Sequence, residues 1–294
     1  MNLRDASEVS DLFDRAAQAM RESPVRDQSI VRLPAKGRLI ATGDLHDNPE
    51  HLQKIMKLAR PDQSPDHHVV LHEIIHSERL VNGMDFSHRM LARVAELVTQ
   101  YPGQVHALLA NHELSQMTGK GVSKGAGNSV ELFNDGLDFA FGEQWQEVSD
   151  AIKRFIAAMP LALMSEHGRD GGVCCAHSLP APHMMSKFDI DIIHRELQPG
   201  DYMAPAGSAH LMVWGRNHDP AQLDVFATAW SVKFFCLGHE HVDTGIELKG
   251  PRLIVINSDH ERGAALPLNL AALPSPEEAV FGSIPLNSIT LKSV

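Results

Sequence analysis

Little in this sequence serves covalent cross-linking: three cysteines stand among 294 residues, and two of them, Cys174 and Cys175, are adjacent. That excludes a disulfide framework and makes a reducing cytoplasm the expected compartment. No apolar run approaches the roughly 20 residues of a membrane helix, and Met1 to Arg26 carries charges throughout where a signal peptide would be apolar. Positive charge is scarce too, since 26 Lys and Arg against 37 Asp and Glu leave a formal charge of −11. Nucleic acid and anionic membranes are bound through basic surfaces that displace counterions, so neither is an expected partner. Aromatic residues are few, with two tyrosines and three tryptophans, whereas histidine is abundant at 18. Histidine is a common metal ligand and proton carrier, so its placement is the first thing to follow.

Hydrophobic content of 43% and charged content of 21% are those of an ordinary globular chain. Asp5 to Met20 has the spacing of an amphipathic helix, which defines an N-terminal helical extension over residues 1–30. The remainder, 31–294, reads as one domain. Arg38 to Thr42 is a short buried strand that runs into Gly43-Asp44, and Pro49 opens a helix that Pro61 stops. The cycle repeats with a strand at Val69 to Leu71, a helix from Phe86 to Tyr101 and a strand from Val105 to Ala110. Alternating strands and helices predict an α/β layered fold. Residues Gly119 to Asn128 form a Gly-rich stretch without the Gly-Lys-Ser/Thr ending of a phosphate loop, so a flexible connector is expected there. Helical sequence from Ser129 to Met159 completes an insertion or cap over about 119–160. Further strands are expected at Leu161 to Leu163, Gly172 to Ala176, Lys233 to Leu237, Gly245 to Leu248 and Arg252 to Ile256, with a last one near Ser288 to Leu291. Two stacked sheets follow from that count.

Metal-ligand chemistry gathers where these strands end. Ile40-Ala41-Thr42-Gly43-Asp44-Leu45-His46 is an apolar run closing on oxygen and nitrogen donors. So are Leu108-Leu109-Ala110-Asn111-His112-Glu113, Val173-Cys174-Cys175-Ala176-His177 and Phe235-Cys236-Leu237-Gly238-His239-Glu240-His241. Glu73 follows the second strand in the same way. In α/β sheets, sites form beyond the carboxyl ends of strands. Mixed carboxylate and imidazole donors suit Mn, Fe or Zn better than calcium, which takes oxygen shells.

In these blocks the chain resembles the calcineurin-like metallophosphoesterases, whose motifs run Asp-x-His, Gly-Asp, Gly-Asn-His-Asp/Glu, His and Gly-His-x-His. The likeness spans Arg38 to Asp259. Glu113 and the run Trp214-Gly215-Arg216 draw it toward the serine/threonine protein phosphatase branch. The resemblance implies a four-layer α-β-β-α sandwich of two mixed sheets flanked by helices. It implies two transition-metal ions, one held by Asp44, His46 and His241, the other by Asn111, His177 and His239, with Glu73 bridging. It further implies hydrolysis of a phosphorylated substrate, protein or small ester, by a bridging hydroxide, with His112 as general acid and Arg216 clamping phosphate.

Three positions depart from the family pattern. His72-Glu73 stands for Gly-Asp, His76 and Ser77 for an Asp-Arg pair, and Ser178 for a glycine. Arg79 or Glu78 is placed to compensate for the missing pair. Two other readings arise from the same residues. One is an inactive phosphatase fold kept as a binding module. The other is a zinc peptidase, because His72-Glu73-Ile74-Ile75-His76 matches His-Glu-x-x-His, which requires a helix.

Overall fold

The computed structural model describes residues 2–121, 123–124 and 127–291. Its central strands alternate between two apolar surroundings with the period of two that a pleated strand imposes. Leu39, Ala41, Val70, Val173, Cys175, Phe234, Cys236, Ile254 and Ile256 meet in one cluster. Their chain neighbours Ile40, Val69, Leu71, Cys174, Ala176, Phe235, Leu237, Leu253 and Val255 belong to a second, which the helices share. The first is the layer between two sheets, the second the contact of sheet with helix, and together they give the expected four-layer α/β sandwich.

One sheet has the order β14 (Ile284–Pro285), β13 (Ala264–Asn269), β3 (Arg38–Thr42), β4 (His67–Leu71) and β5 (Val105–Ala107). In it β3, β4 and β5 are parallel, while β13 and β14 run antiparallel at one side. The other sheet has the order β1 (Arg26–Asp27), β2 (Ile30–Leu33), β8 (Ala162–Ser165), β9 (Gly172–Ala176), β10 (Val232–Leu237), β12 (Leu253–Ile256) and β11 (Ile246–Lys249). There β9, β10 and β12 are parallel neighbours. Each sheet therefore contributes three adjacent parallel strands whose carboxyl ends can face a common site.

Helix α1 (Ala6–Arg21) lays Leu12, Phe13, Ala16 and Ala17 into the same cluster as α3 (His88–Gln100) and α6 (Trp145–Ala158). Phe13 and Phe155 meet with ring centroids 5.4 Å apart, and Arg154 grips Asp14 with two hydrogen bonds of 2.7 and 2.9 Å. Helix α2 (Pro49–Ala59) starts as its sequence requires: Asn48 Oδ1 accepts from the His51 N–H, Pro49 takes the first position, and left-handed Arg60 ends it. Helices α4 (Asn111–Thr118), α5 (Ser129–Phe141), α7 (Ser208–Trp214), α8 (Pro220–Trp230) and α9 (Pro276–Phe281) complete the set. None is long and apolar enough to cross a membrane.

Three expectations need correction, and one strand was not foreseen. Residues 72–76 are not helical: β4 carries the chain to Leu71, and Glu73 and His76 then turn through positive φ of 50° and 62°. The helical face that a His-Glu-x-x-His zinc site needs does not exist. The Gly119 to Asn128 stretch contains a short hairpin of β6 (Ser123–Lys124) and β7 (Gly127–Asn128), with residues 122, 125 and 126 outside the described residues. No strand forms at Ser288 to Leu291; a single 3-10 turn at Leu286–Ser288 stands there, and Lys57 Nζ holds the Thr290 carbonyl at 2.6 Å against α2. Finally, β13 is a central partner of β3 that the sequence reading passes over.

One buried histidine outside the strand ends bears on stability. His88 is packed among Phe86, Phe133 and Phe141, and neither ring nitrogen has a hydrogen-bond partner among the described residues. Burial lowers its pKa to about 4. Below the unfolded value near 6.5 the unfolded chain takes up a proton that the folded chain refuses, so this part of the stability is lost as pH falls from about 6.5 toward 4. His88→Phe removes that loss. Urea unfolding should show the variant gaining on the parent by up to about 2 kcal/mol between pH 7.5 and pH 5; parallel pH dependences would refute the assignment.

Candidate metal centre

Asp44 leaves β3 at the point where the two sheets meet. It forms parallel bridges with His72 beyond β4 and with Asn257 beyond β12. Its backbone carbonyl accepts from the Ser258 N–H at 3.0 Å, and Ser258 Oγ accepts from the Gly43 N–H, also at 3.0 Å. The approach is so close that a Cβ on Gly43 would overlap the Ile256 carbonyl oxygen, which explains the glycine. From the neighbouring strand, the Glu73 carbonyl accepts from the N–H groups of Leu45 and His46 at 3.0 and 2.8 Å. Backbone bonds, with the Ser258 hydroxyl, thus tie three strand ends together.

Side chains then converge from five strand ends. His177, at the end of β9, is fully buried, and its Nε2 lies 2.7 Å from Asn111 Oδ1, 3.0 Å from His239 Nδ1 and 3.5 Å from Glu73 Oε2. Asn111 begins α4 directly beyond β5, so the oxygens of Glu73 approach a helix N-terminus, where the His112 N–H reaches Glu73 Oε2 at 3.4 Å. Glu73 Oε1 is 3.5 Å from His112 Nε2 and 4.0 Å from His46 Nε2. Glu113 Oε1 accepts from the N–H groups of Ile74 and Ile75 at 2.7 and 3.2 Å, fastening α4 to the loop that carries Glu73. His46, Glu73 and His239 all have positive φ, of 40°, 50° and 67°. Each such residue without glycine's freedom costs roughly 1–2 kcal/mol, a strain that the surrounding hydrogen bonds must hold.

Burial governs the charges. It lowers the pKa of His72 to about 4 and that of His239 to about 3 with the Arg216 charge adding to the effect, and it holds His177 well below the ordinary histidine range. Burial also raises Asp44 to about 7, against the pull of its bond from the His239 N–H, and Glu113 to about 7. His72, His177 and His239 are therefore neutral imidazoles, the form in which histidine binds metal. Two sets of donor atoms draw within 4.8 Å of one another: Asp44, His72 and His177, and His46, Glu73 and His112.

The donors fit a metal cluster. Asn111 Oδ1, His239 Nδ1 and Glu73 Oε2 crowd round one imidazole nitrogen of His177, and such a mixed set of oxygen and imidazole donors suits a transition-metal ion. His239 Nε2 is also buried without a hydrogen-bond partner among the described residues.

Of the seven ligands expected from the sequence, the structure brings together Asp44, His46, Glu73, Asn111, His177 and His239. His241 it does not. The turn after β10 puts the His241 side chain in solvent at 70% exposure, with Nε2 3.0 Å from Asp243 and its ring beside that of His260. His112 lies inside the cluster, 5.3 Å from the ring of His46. Arg216 is tethered by its Nη1, which donates to the His239 carbonyl at 2.7 Å, and Arg79 similarly by its Nη2, which donates to the His46 carbonyl at 3.3 Å. Arg79 and Asp47 also line a cavity of about 610 Å³ with Leu52, Met56, Phe86 and Arg89.

Two contacts escaped the sequence reading. His72 points into the cluster, and His76 Nδ1 pairs with Asp85 at 2.8 Å beneath the ring of His112. The signals for His72 were its departure from glycine and its place in the His-Glu-x-x-His match, neither of which pointed to His177; nothing in the spacing marks Asp85.

Comparison with known proteins agrees with this picture. A family model described as calcineurin-like phosphoesterase matches residues 37–243. Among solved structures, a protein serine/threonine phosphatase from Saccharomyces cerevisiae with similarity to human phosphatase PP5 is 14% identical, with a TM-score of 0.64 over 90% of this chain and 83% of that one. A cold-active protein-tyrosine phosphatase of a psychrophilic Shewanella species is 12% identical, with a TM-score of 0.54 over 88% and 80% of the two chains. At such identities these likenesses speak for the fold alone. No curated protein matches the sequence.

Gly238 is crowded by the cluster's side chains, because a Cβ there would fall 2.3 Å from Asp44 Oδ1 and 2.6 Å from His72 Cε1. Gly238→Ala should displace both side chains, cost about 1–3 kcal/mol in urea unfolding and lower metal stoichiometry. Unchanged unfolding and metal content would show that the crowding is not real.

Proposed function

Because the chain belongs to the calcineurin-like phosphoesterase family, hydrolases of phosphoric esters that employ divalent metal ions, we propose that it cleaves phosphate monoesters at the strand-end cluster. The reading rests above all on one observation: Asn111 Oδ1, His239 Nδ1 and Glu73 Oε2 lie within 3.5 Å of a single His177 nitrogen. Asn111, His177, His239 and Glu73 would hold one ion, and Asp44 and His46 would hold a second with Glu73, whose Oε2 lies 3.5 Å from His177 Nε2 and whose Oε1 lies 4.0 Å from His46 Nε2. Mn, Fe or Zn suits the donor set. When bound, such a pair supplies an activated water and positive charge for the phosphoryl oxygens.

The chain's own residues do the rest. His112 is held by its backbone at the start of α4, with Nε2 turned toward Glu73, and serves as the general acid that protonates the departing alkoxide. Arg216 and Arg79 are each anchored to the backbone carbonyl of a ligand residue, His239 and His46 respectively. Their guanidinium groups bind the phosphate oxygens through paired N–H donors. Arg79 thus takes the place of the arginine that the second motif lacks. The cavity beyond Arg79 receives the organic part of the ester. Phosphoserine, phosphothreonine and phosphotyrosine, suggested by the names of the similar structures, are the substrates to try first.

Hydrolysis of an aryl phosphate by the manganese-loaded chain is the test. Asp44→Ala and His239→Ala should abolish it. His112→Ala should keep its metal but turn over slower by about 10²–10⁴-fold, with the larger loss on alkyl esters, whose leaving groups need the proton. Wild-type turnover in His239→Ala would contradict the assignment. A fully loaded parent chain without activity toward any phosphoester would favour the binding-module reading instead.

A further inference from the structure

We propose that His72, a residue the family pattern replaces by glycine, fixes the tautomer of His177 through a two-ring relay anchored on the Thr42 carbonyl, and so turns the bare Nε2 of His177 toward the metal. The proposal rests on the metal-site reading above.

Each proton in the relay follows from its neighbour. His72 Nε2 lies 2.9 Å from the Thr42 carbonyl oxygen, which only accepts, so this nitrogen carries hydrogen. The residue is 1% exposed, and among the described residues the one carboxylate paired with it, Asp44, stands off at 3.7 Å. A second proton would bury a cation without a close counterion, so Nδ1 is bare. That lone pair faces His177 Nδ1 at 3.1 Å, with the rings edge to face at 72°. Two ring nitrogens at this distance need one donor and one acceptor, which makes His177 Nδ1 the donor. His177, fully buried in turn, keeps one proton, and its Nε2 is left bare toward Asn111, His239 and Glu73. Gly238 makes room for the arrangement, since a Cβ there would meet His72 Cε1.

The competing arrangement makes His72 a ligand, with Asp44 and the Nδ1 of His177. It would put the metal on Nδ1 of His177 and leave the ring proton on Nε2 toward Asn111 and Glu73, the opposite tautomer, so the two arrangements are told apart by which His177 nitrogen carries hydrogen. Partners that orient a ligating histidine in this way typically matter by about 10–100-fold in metal affinity.

Ring nitrogen resonances of the zinc-loaded, 15N-histidine-labelled chain provide the test. Expected are a protonated Nδ1 on His177 and an unprotonated, metal-free Nδ1 on His72. His72→Phe, which keeps a ring but removes the acceptor, should weaken zinc binding by about 10–100-fold. His72→Asn, whose Oδ1 can accept in place of Nδ1, should stay within a few-fold of the parent. A cadmium-113 coupling to His72 Nδ1, an unprotonated His177 Nδ1, or zinc binding of parental strength in His72→Phe would overturn the relay alone. A parent chain that takes up no zinc, manganese or iron would overturn the metal site itself, and the relay with it.

Discussion

Asp44 is bridged to His72 on one side and to Asn257 on the other, and this double bridge is the constraint on which the rest of the site depends. It sews the carboxyl end of β3 to the ends of β4 and β12, which belong to different sheets. Two stacked sheets ordinarily lie about 10 Å apart. Where one chain segment pairs with both, that gap closes, and side chains from either sheet come within bonding distance. His177 and His239 from one sheet thereby reach Glu73 and Asn111 from the other.

Closing the gap carries energetic consequences. The junction admits no Cβ at Gly43 or Gly238, forces His46, Glu73 and His239 into left-handed backbone, and buries Asp44, Glu73 and Glu113. Buried carboxylates and histidines without full hydrogen bonding oppose folding. The apolar layers on either side, set out by alternation along β3, β9, β12 and the Phe234 to Leu237 part of β10, supply the compensation. Polar backbone clamps add rigidity: Glu113 on Ile74 and Ile75, Ser258 on Gly43 and Ala264, Asn257 on Val242. A site so braced holds its donors in place before any ligand arrives, which is what preorganised catalysis needs.

Much of this was legible in the sequence. Short apolar runs ending in Asp44, Glu73, Asn111, His177 and His239 announced strand ends, and the structure has them within one or two residues for β3, β4, β9, β10 and β12. What escaped depends on contacts between distant segments. The strand Ala264–Asn269 contains Pro267, which local rules set against a strand; it is accommodated because β14 pairs only with Ala264 and Ala265, leaving the proline on an open edge. The His-Glu-x-x-His match failed because burial of β4 outweighs any local helical tendency at residues 72–76. His241 shares its motif with His239, yet lies two residues beyond a left-handed turn, and no spacing rule reports where such a turn will point. The pairing of His72 with His177, 105 residues apart, has no local trace at all.

Anomalous diffraction at the manganese edge, from crystals grown with manganese chloride, would test most directly whether the joined strand ends form a metal centre. The account predicts a strong peak enclosed by Asn111, His177, His239 and Glu73. A well-ordered site with no peak there, or with the ion bound only at some other group of histidines, would contradict it.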